Sequence, residues 1–208
     1  MTSNIFVVHA PGLGGNHLAN ILSLGDDYTA RCDIADYDNK LDGTAHFGAS
    51  KNIEFDKLKD QVDLLKHQNN VFCGHVYQYH SFTKTNLLKD NFHNRKYLVI
   101  QFPVVGSIAY NRMLNWNLGR PMSQEINLYP AVISDLGLLY KPDVIRTMFN
   151  EDKDTAFYLV DPDLLFNEDI NVLFDSLTRQ KFNISVDRRI AHNLHTKWLD
   201  NLRKTKNI

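Results

Sequence analysis

The chain has 208 residues, 23 Lys and Arg against 24 Asp and Glu, and 43% apolar residues, enough for one domain that buries roughly 70% of its unfolded surface. Balanced charge without a concentrated basic face argues against a dedicated nucleic-acid binder, and two isolated cysteines, Cys32 and Cys73, make neither a disulfide framework nor a zinc pair. The opening stretch has no basic n-region and only a short apolar run, so the expectation is a cytoplasmic protein with no signal peptide and no membrane anchor.

Ile5 to Val8 is the short continuous apolar run of a buried strand. It breaks at Pro11, crosses Gly12, Gly14 and Gly15, and leads into a helix over His17 to Leu24, with Leu18, Ile21 and Leu22 at helical spacing. His9 falls in or just after the strand. Gly25 to Ser50 is polar and rich in Asp and Gly, a long loop with a short strand near Tyr28 to Asp33 and with His46 as a loop anchor. Ile53 to His67 places Phe55, Leu58, Val62 and Leu65 on one helical face. Val71 to Val76 reads as the next main strand, Thr83 to Phe92 as a short helix, and Tyr97 to Phe102 as a strand of strong β-propensity.

Pro103 is expected to start a helix whose inner side carries Ile108, Met113 and Leu114 and which Gly119-Arg120-Pro121 stops. Ser123 to Phe149 reads as helical, punctuated by Pro130, Gly137 and Pro142. Ala156 to Val160 is a late strand, Asp161-Pro162 a turn, and Asn167 to Leu177 a helix. Asp187 caps the last helix, on which Ile190, Leu194, Trp198 and Leu202 are spaced four apart. Trp116 and Trp198 are read as core or interface anchors. His192 and His195 share a helix face, but no acidic cluster completes a shell, so no metal is assigned.

Strands alternating with helical connections predict a three-layer α/β/α domain spanning the whole chain, with a mostly parallel central sheet. Such sheets bind ligands at the carboxyl ends of their strands. The glycine loop, Gly74-His75 and Gln101-Phe102-Pro103 all follow strand ends and should line one mouth. Three glycines between a buried strand and an amphipathic helix make an anion cradle: glycine allows close backbone approach, and the first helical amides carry the positive end of the helix dipole. The nucleotide triphosphate signature G-x-x-x-x-G-K-[ST] is absent, with no Lys before Lys40, which disfavours a nucleotide-dependent kinase-like enzyme. The dinucleotide fingerprint fails at His17.

The string PGLGGNHL, Pro11 to Leu18, resembles the P-x-x-G-x-x-x-L loop by which sulfotransferases hold the 5′-phosphosulfate of 3′-phosphoadenosine-5′-phosphosulfate (PAPS). Pro11, Gly14 and Leu18 match; Gly12, Gly15 and Asn16 stand where the family usually carries Lys or Arg and Ser or Thr. Gly74-His75 is similar to the strand-end histidine that serves as base in cytosolic members. Tyr97 to Met113 looks like the 3′-phosphate segment R-x-P-x-x-x-x-x-S, with Pro103 matching, Gln101 at the Arg position and Ala109 at the Ser position. The small size and stripped-down loop look like the phage and marine-bacterial branch of such proteins.

The resemblance implies a sulfotransferase-like P-loop fold, PAPS as cofactor, no metal, and transfer of a sulfuryl group to a hydroxyl or amine of a small-molecule or glycan acceptor. It implies His75 as the base, with Pro11, Gly12, Gly14, Gly15, Asn16, His17 and Gln101 holding the donor. A protonated His17 would stand in for part of the missing lysine's charge. The lost Lys, Arg and Ser also leave open a non-catalytic binding or assembly module on the same fold.

Overall fold

A computed structural model describes residues 3–10, 12–25, 66–67, 69–74, 87–118 and 141–204. Pro11, Cys32, His46, His75, the strand expected near 28–33, nearly all of the helix expected over 53–67 and the stretch 119–140 lie outside the described residues. Elements below are numbered over the described part.

Four strands, β1 (Asn4–Val8), β2 (Asn70–Gly74), β3 (Arg95–Ile100) and β4 (Ala156–Val160), form an all-parallel sheet in the order β2-β1-β3-β4. An α/β architecture is therefore present, as expected. The first two strands are buried along their whole length, which suits runs such as IFVV and VFC with no charged residue. Their buried polar ends satisfy each other: Asn70 Nδ2 donates to Asn4 Oδ1 (3.0 Å), and Asn4 Nδ2 donates to His93 O (2.9 Å).

One register row carries an aromatic side chain on every strand, Phe72 to Phe6 to Tyr97 to Phe157. Successive rings stack with centroids 4.9, 5.2 and 4.8 Å apart. Phe92 meets Phe6 and Phe72 edge-on, and Phe149 leans on Tyr97. At about 0.5–1.5 kcal/mol per pair beyond burial, this ladder fixes register as well as stability.

At the amino end of β3, Glu151 is the centre of a buried polar cluster. Arg95 donates to both carboxylate oxygens (2.7 and 2.6 Å), Tyr97 Oη to Oε1 (2.7 Å) and Thr155 Oγ1 to Oε2 (3.0 Å). The outer side of β4 is closed by the side chain of Gln180, which donates to Leu159 O and accepts from Leu159 N, both at 2.8 Å, like a fragment of a further strand.

The helices are α1 (Gly15–Ser23), α2 (Leu87–Asn91), α3 (Ile108–Leu118), α4 (Pro142–Met148), α5 (Pro162–Leu165), α6 (Ile170–Arg179) and α7 (Arg188–Lys204). α1 packs on β1 and β2 and against α7, so nearly all of its side chains are buried. Two expectations need correction. Pro103 does not open a helix: Gly106, at φ 85°, turns the chain, and α3 begins at Ile108 with Ser107 Oγ on the amide of Tyr110. The buried face of α3 is then Ala109, Arg112 and Met113, which leaves Ile108 outside at 61% exposure. Asp161-Pro162 is more than a turn, since Asp161 caps the short α5 through the amide of Asp163. Asp187 caps α7 as expected, through Arg189 N and Ile190 N. Among the described residues no helix is long and apolar enough to cross a membrane.

Candidate anion-binding site

The connection from β1 runs to β2 on one side, and β3 runs on to β4 on the other, so the loops after β1 and β3 diverge. Open parallel sheets place their ligands in the crevice at that switch point. The loop after β1 is the glycine loop. Gly12 and Gly14 have φ of 85° and 73°, a region that residues with a Cβ avoid. Gly14 is also pressed from below: a Cβ there would stand 3.0 Å from Leu165 Cδ2 and Trp198 Cη2. Gly15 is required by close approach, because a methyl on it would lie 2.1 Å from the ring of His9.

Gly14 is the N-cap of α1 and offers no side chain to its first turn, which also holds no acidic residue. The first intrahelical bond across this end is Leu18 N to Gly14 O (3.1 Å); helical geometry gives the amides of Gly15, Asn16 and His17 no intrahelical acceptor. Other helices here are treated differently. Asp161, Asp169 and Asp187 cap α5, α6 and α7, and Asp163 Oδ1 accepts from Ala109 N (3.0 Å) at the start of α3. The positive end of α1 therefore meets no carboxylate of its own first turn or cap, whereas α5, α6 and α7 have a capping aspartate and α3 takes Asp163 from α5.

The structure brings Gly12, Gly14, Gly15, Asn16 and His17 into one loop, with Gln101 exposed just past the carboxyl end of the adjacent β3, its amide extending the ladder to Val160 O. The side chain of His17 does not serve the loop as expected. It is buried, stacks on Trp198 at 4.0 Å with the planes 7° apart, and meets His195 Nδ1 through Nε2 at 2.9 Å. His195 Nε2 lies 2.7 Å from Asn167 O, a group that only accepts, so His195 carries its proton on Nε2 and its Nδ1 accepts a hydrogen bond from His17 Nε2–H. Burial first, then His195 and Arg112, holds the His17 imidazole well below the usual histidine range, which disfavours the protonated form expected to replace part of the lysine's charge. Asn16 is turned toward the sheet, where its Oδ1 accepts from Cys73 Sγ (2.9 Å).

Four residues around the loop were not assigned to the site by the sequence reading. His9 directly follows β1 and is buried, with Nδ1 2.9 Å from Ala10 O and Nε2 3.1 Å from Cys73 Sγ. Cys73 pairs in register with Val7, and burial pushes its thiol far above the ordinary range. His195 lies on the apolar face of α7 at i+4 from Ala191 and i−3 from Trp198, a spacing that helical periodicity does reveal. Arg112, only 4% exposed, has its guanidinium 5.2 and 5.5 Å from the rings of Phe166 and Trp198; burial lowers its pKa to about 10, which keeps it cationic.

At Ala109, where the resemblance expects a 3′-phosphate ligand, the helix end already holds the carboxylate of Asp163. Among the described residues no group of three or more His, Cys, Asp or Glu is placed to hold a metal ion. Comparison of the chain with protein-family models, with curated proteins and with solved structures finds no match.

Proposed function

We propose that the β1–α1 loop binds the oxyanion of a phosphate- or sulfate-bearing ligand, and that this ligand is a PAPS-type donor from which a sulfuryl group passes to a hydroxyl or amine acceptor. The observation that carries the reading is the start of α1: a nine-residue helix whose N-cap is a left-handed glycine that supplies no side-chain cap of its own, with no acidic residue in its first turn, at the switch point of a parallel sheet. Backbone amides aimed at one spot stabilise charge on sulfuryl oxygens and on the departing phosphate without reorganising. His75, directly after β2, is the base in this reading, taking the acceptor's proton as the acceptor oxygen or nitrogen attacks sulfur in line.

Calorimetric titration with adenosine 3′,5′-bisphosphate, the desulfated product, tests donor binding; absence of heat at millimolar ligand refutes it. His75→Ala then separates chemistry from binding, with sulfuryl transfer lost and nucleotide affinity retained. One observation favours a second reading, in which the fold serves as a binding or assembly module without turnover: the Asp163 carboxylate on the amide of Ala109 repels a 3′-phosphate at that helix end. Asp163→Asn distinguishes the two, because it tightens binding of the bisphosphate over the monophosphate only where the 3′-phosphate approaches α3.

A further inference from the structure

Among the described residues four large apolar side chains stand exposed, and three of them, Val104, Val105 and Ile108, fall within five positions, at 76, 74 and 61% exposure. Single apolar residues scattered over a surface are ordinary, whereas a cluster marks a place where something binds. The backbone holds this cluster outward. Ser107 N donates to Val104 O (3.0 Å) across a tight turn, Gly106 supplies the left-handed φ of 85° at the turn's third position, and Ser107 Oγ fixes the start of α3 on the amide of Tyr110. Turns are usually built from polar residues, and here two valines occupy one.

The turn follows β3 at the carboxyl edge of the sheet, where its register neighbour β1 runs on into the glycine loop. It is therefore one wall of the crevice at the switch point, and the loop is the other. Both walls rest on α5: Leu165 Cδ2 would stand 3.0 Å from a Cβ on Gly14, and Asp163 Oδ1 accepts from Ala109 N, beside Ile108. Two carboxylates flank the apolar cluster. One is Asp163; the other is Asp161, which follows Val160, whose carbonyl accepts from the amide of Gln101 at the foot of the turn. Each uses Oδ1 as a helix cap, Asp161 on Asp163 N and Asp163 on Ala109 N, and among the described residues neither Oδ2 takes a hydrogen bond or an ion pair.

We propose that this wall binds a small apolar ammonium compound, its hydrocarbon on Val104, Val105 and Ile108 and its cationic nitrogen facing Asp161 and Asp163. Charge and area select this occupant. Carboxylates beside the apolar cluster are repelled by an anionic lipid surface. The three side chains expose on the order of 300 Å², well short of the roughly 800 Å² that each partner gives to a standard protein interface. A small cation with a hydrocarbon body satisfies both limits. In the transfer reading such a compound is the acceptor, but the inference stands without that reading.

Methyl NMR of the whole chain, titrated with n-hexylammonium, n-butylammonium and n-hexanol, tests it. Hexylammonium should shift the methyl signals of Val104, Val105 and Ile108, and should bind up to about fifteenfold tighter than butylammonium, since each buried methylene multiplies affinity by up to about fourfold. It should bind about two- to fivefold tighter than hexanol. Val104→Ser with Val105→Ser should remove the chain-length preference and keep the preference for ammonium. Asp161→Asn with Asp163→Asn, which retains the helix caps, should do the reverse. Should the asparagine pair fail to fold, salt decides in the unaltered protein: raising it to about 0.5 M should weaken hexylammonium and leave hexanol unchanged. Methyl signals unmoved by millimolar hexylammonium, equal affinity for hexanol, or a chain-length preference that survives in the serine pair each overturns the inference. So do shifts of these methyls that come only with phosphatidylserine vesicles or with self-association on raising the protein concentration. None of these results touches the glycine loop, which the bisphosphate titration tests separately.

Discussion

Replacing Gly15 with alanine probes the seating of His9 under the loop. Gly15 is the first residue of α1 and does not share the positive φ of Gly12 and Gly14, so the backbone accepts alanine there, and helix propensity alone favours it by up to about 1 kcal/mol. The added methyl, however, would stand 2.1, 2.3 and 2.6 Å from Cδ2, Cγ and Nε2 of His9. The ring cannot swing aside freely, because it is tied at 2.9 Å to Ala10 O and at 3.1 Å to Cys73 Sγ. Overpacking of this kind costs about 1–3 kcal/mol, and displacing the buried ring from its partners costs roughly another 1–3.

Net of propensity, Gly15→Ala should lose about 1–5 kcal/mol, a large share of the roughly 5–15 kcal/mol that stabilises a domain. With a urea slope of about 2 kcal/mol/M, the unfolding midpoint drops by about 0.5–2.5 M. A double-mutant cycle isolates the clash: in a His9→Ala background the same change should be neutral or stabilising. Gly106→Ala is the useful contrast, since its φ is 85° but nothing lies within 4 Å of a Cβ there, so it should cost backbone strain of only about 1–2 kcal/mol. A Gly15→Ala protein as stable as the parent, or an equal loss with and without His9, would refute the packing of the imidazole on this glycine.

Removing the Glu151 carboxylate with Glu151→Ala leaves the nearly buried Arg95 guanidinium and the Tyr97 hydroxyl without their shared acceptor and should cost about 3–5 kcal/mol in urea unfolding; Glu151→Gln, which keeps the shape, should cost less. The His17–His195 pair sets an acid limit. Burial lowers both pKa values from 6.5, so the unfolded chain binds protons that the folded chain refuses, and stability is intact above pH 6.5 and falls as pH drops below it. The slope is up to about 1.4 kcal/mol per pH unit for each histidine. Urea midpoints measured downward from neutral pH should show this loss, and His17→Phe with His195→Leu should flatten it; an unchanged slope in the double variant would assign the acid sensitivity elsewhere.

Much of the fold was readable from local pattern. The apolar runs around Phe6, Phe72, Leu98 and Leu159 announced four of the strands, Asp187 announced the start of the last helix, and the glycines before Asn16 announced a tight turn from strand to helix. Of these the strands, the cap and the glycine turn follow from the preferences of a few neighbouring residues: β-branched and aromatic side chains for a pleated interior, a short carboxylate for exposed amides, glycine for positive φ. What local pattern could not reveal was which way polar side chains would turn. Placing Ile108 inside and a helix start at Pro103 were errors of the same kind, because the phase of α3 is set by Asp163, more than fifty residues away along the chain.

His17 stands in the first turn after the glycines, and only α7 packing beside α1 turns its ring onto Trp198 and His195, away from the mouth. His9 and Cys73, separated by 64 residues, become partners only because β1 and β2 pair in parallel and end side by side. Strand and helix preferences act within about one turn or one pleat, whereas the direction and protonation of a buried polar group depend on which distant partner reaches it first. The chain's local chemistry therefore settles where the glycine turn between strand and helix forms, and the packing of remote segments settles which side chains lie against it.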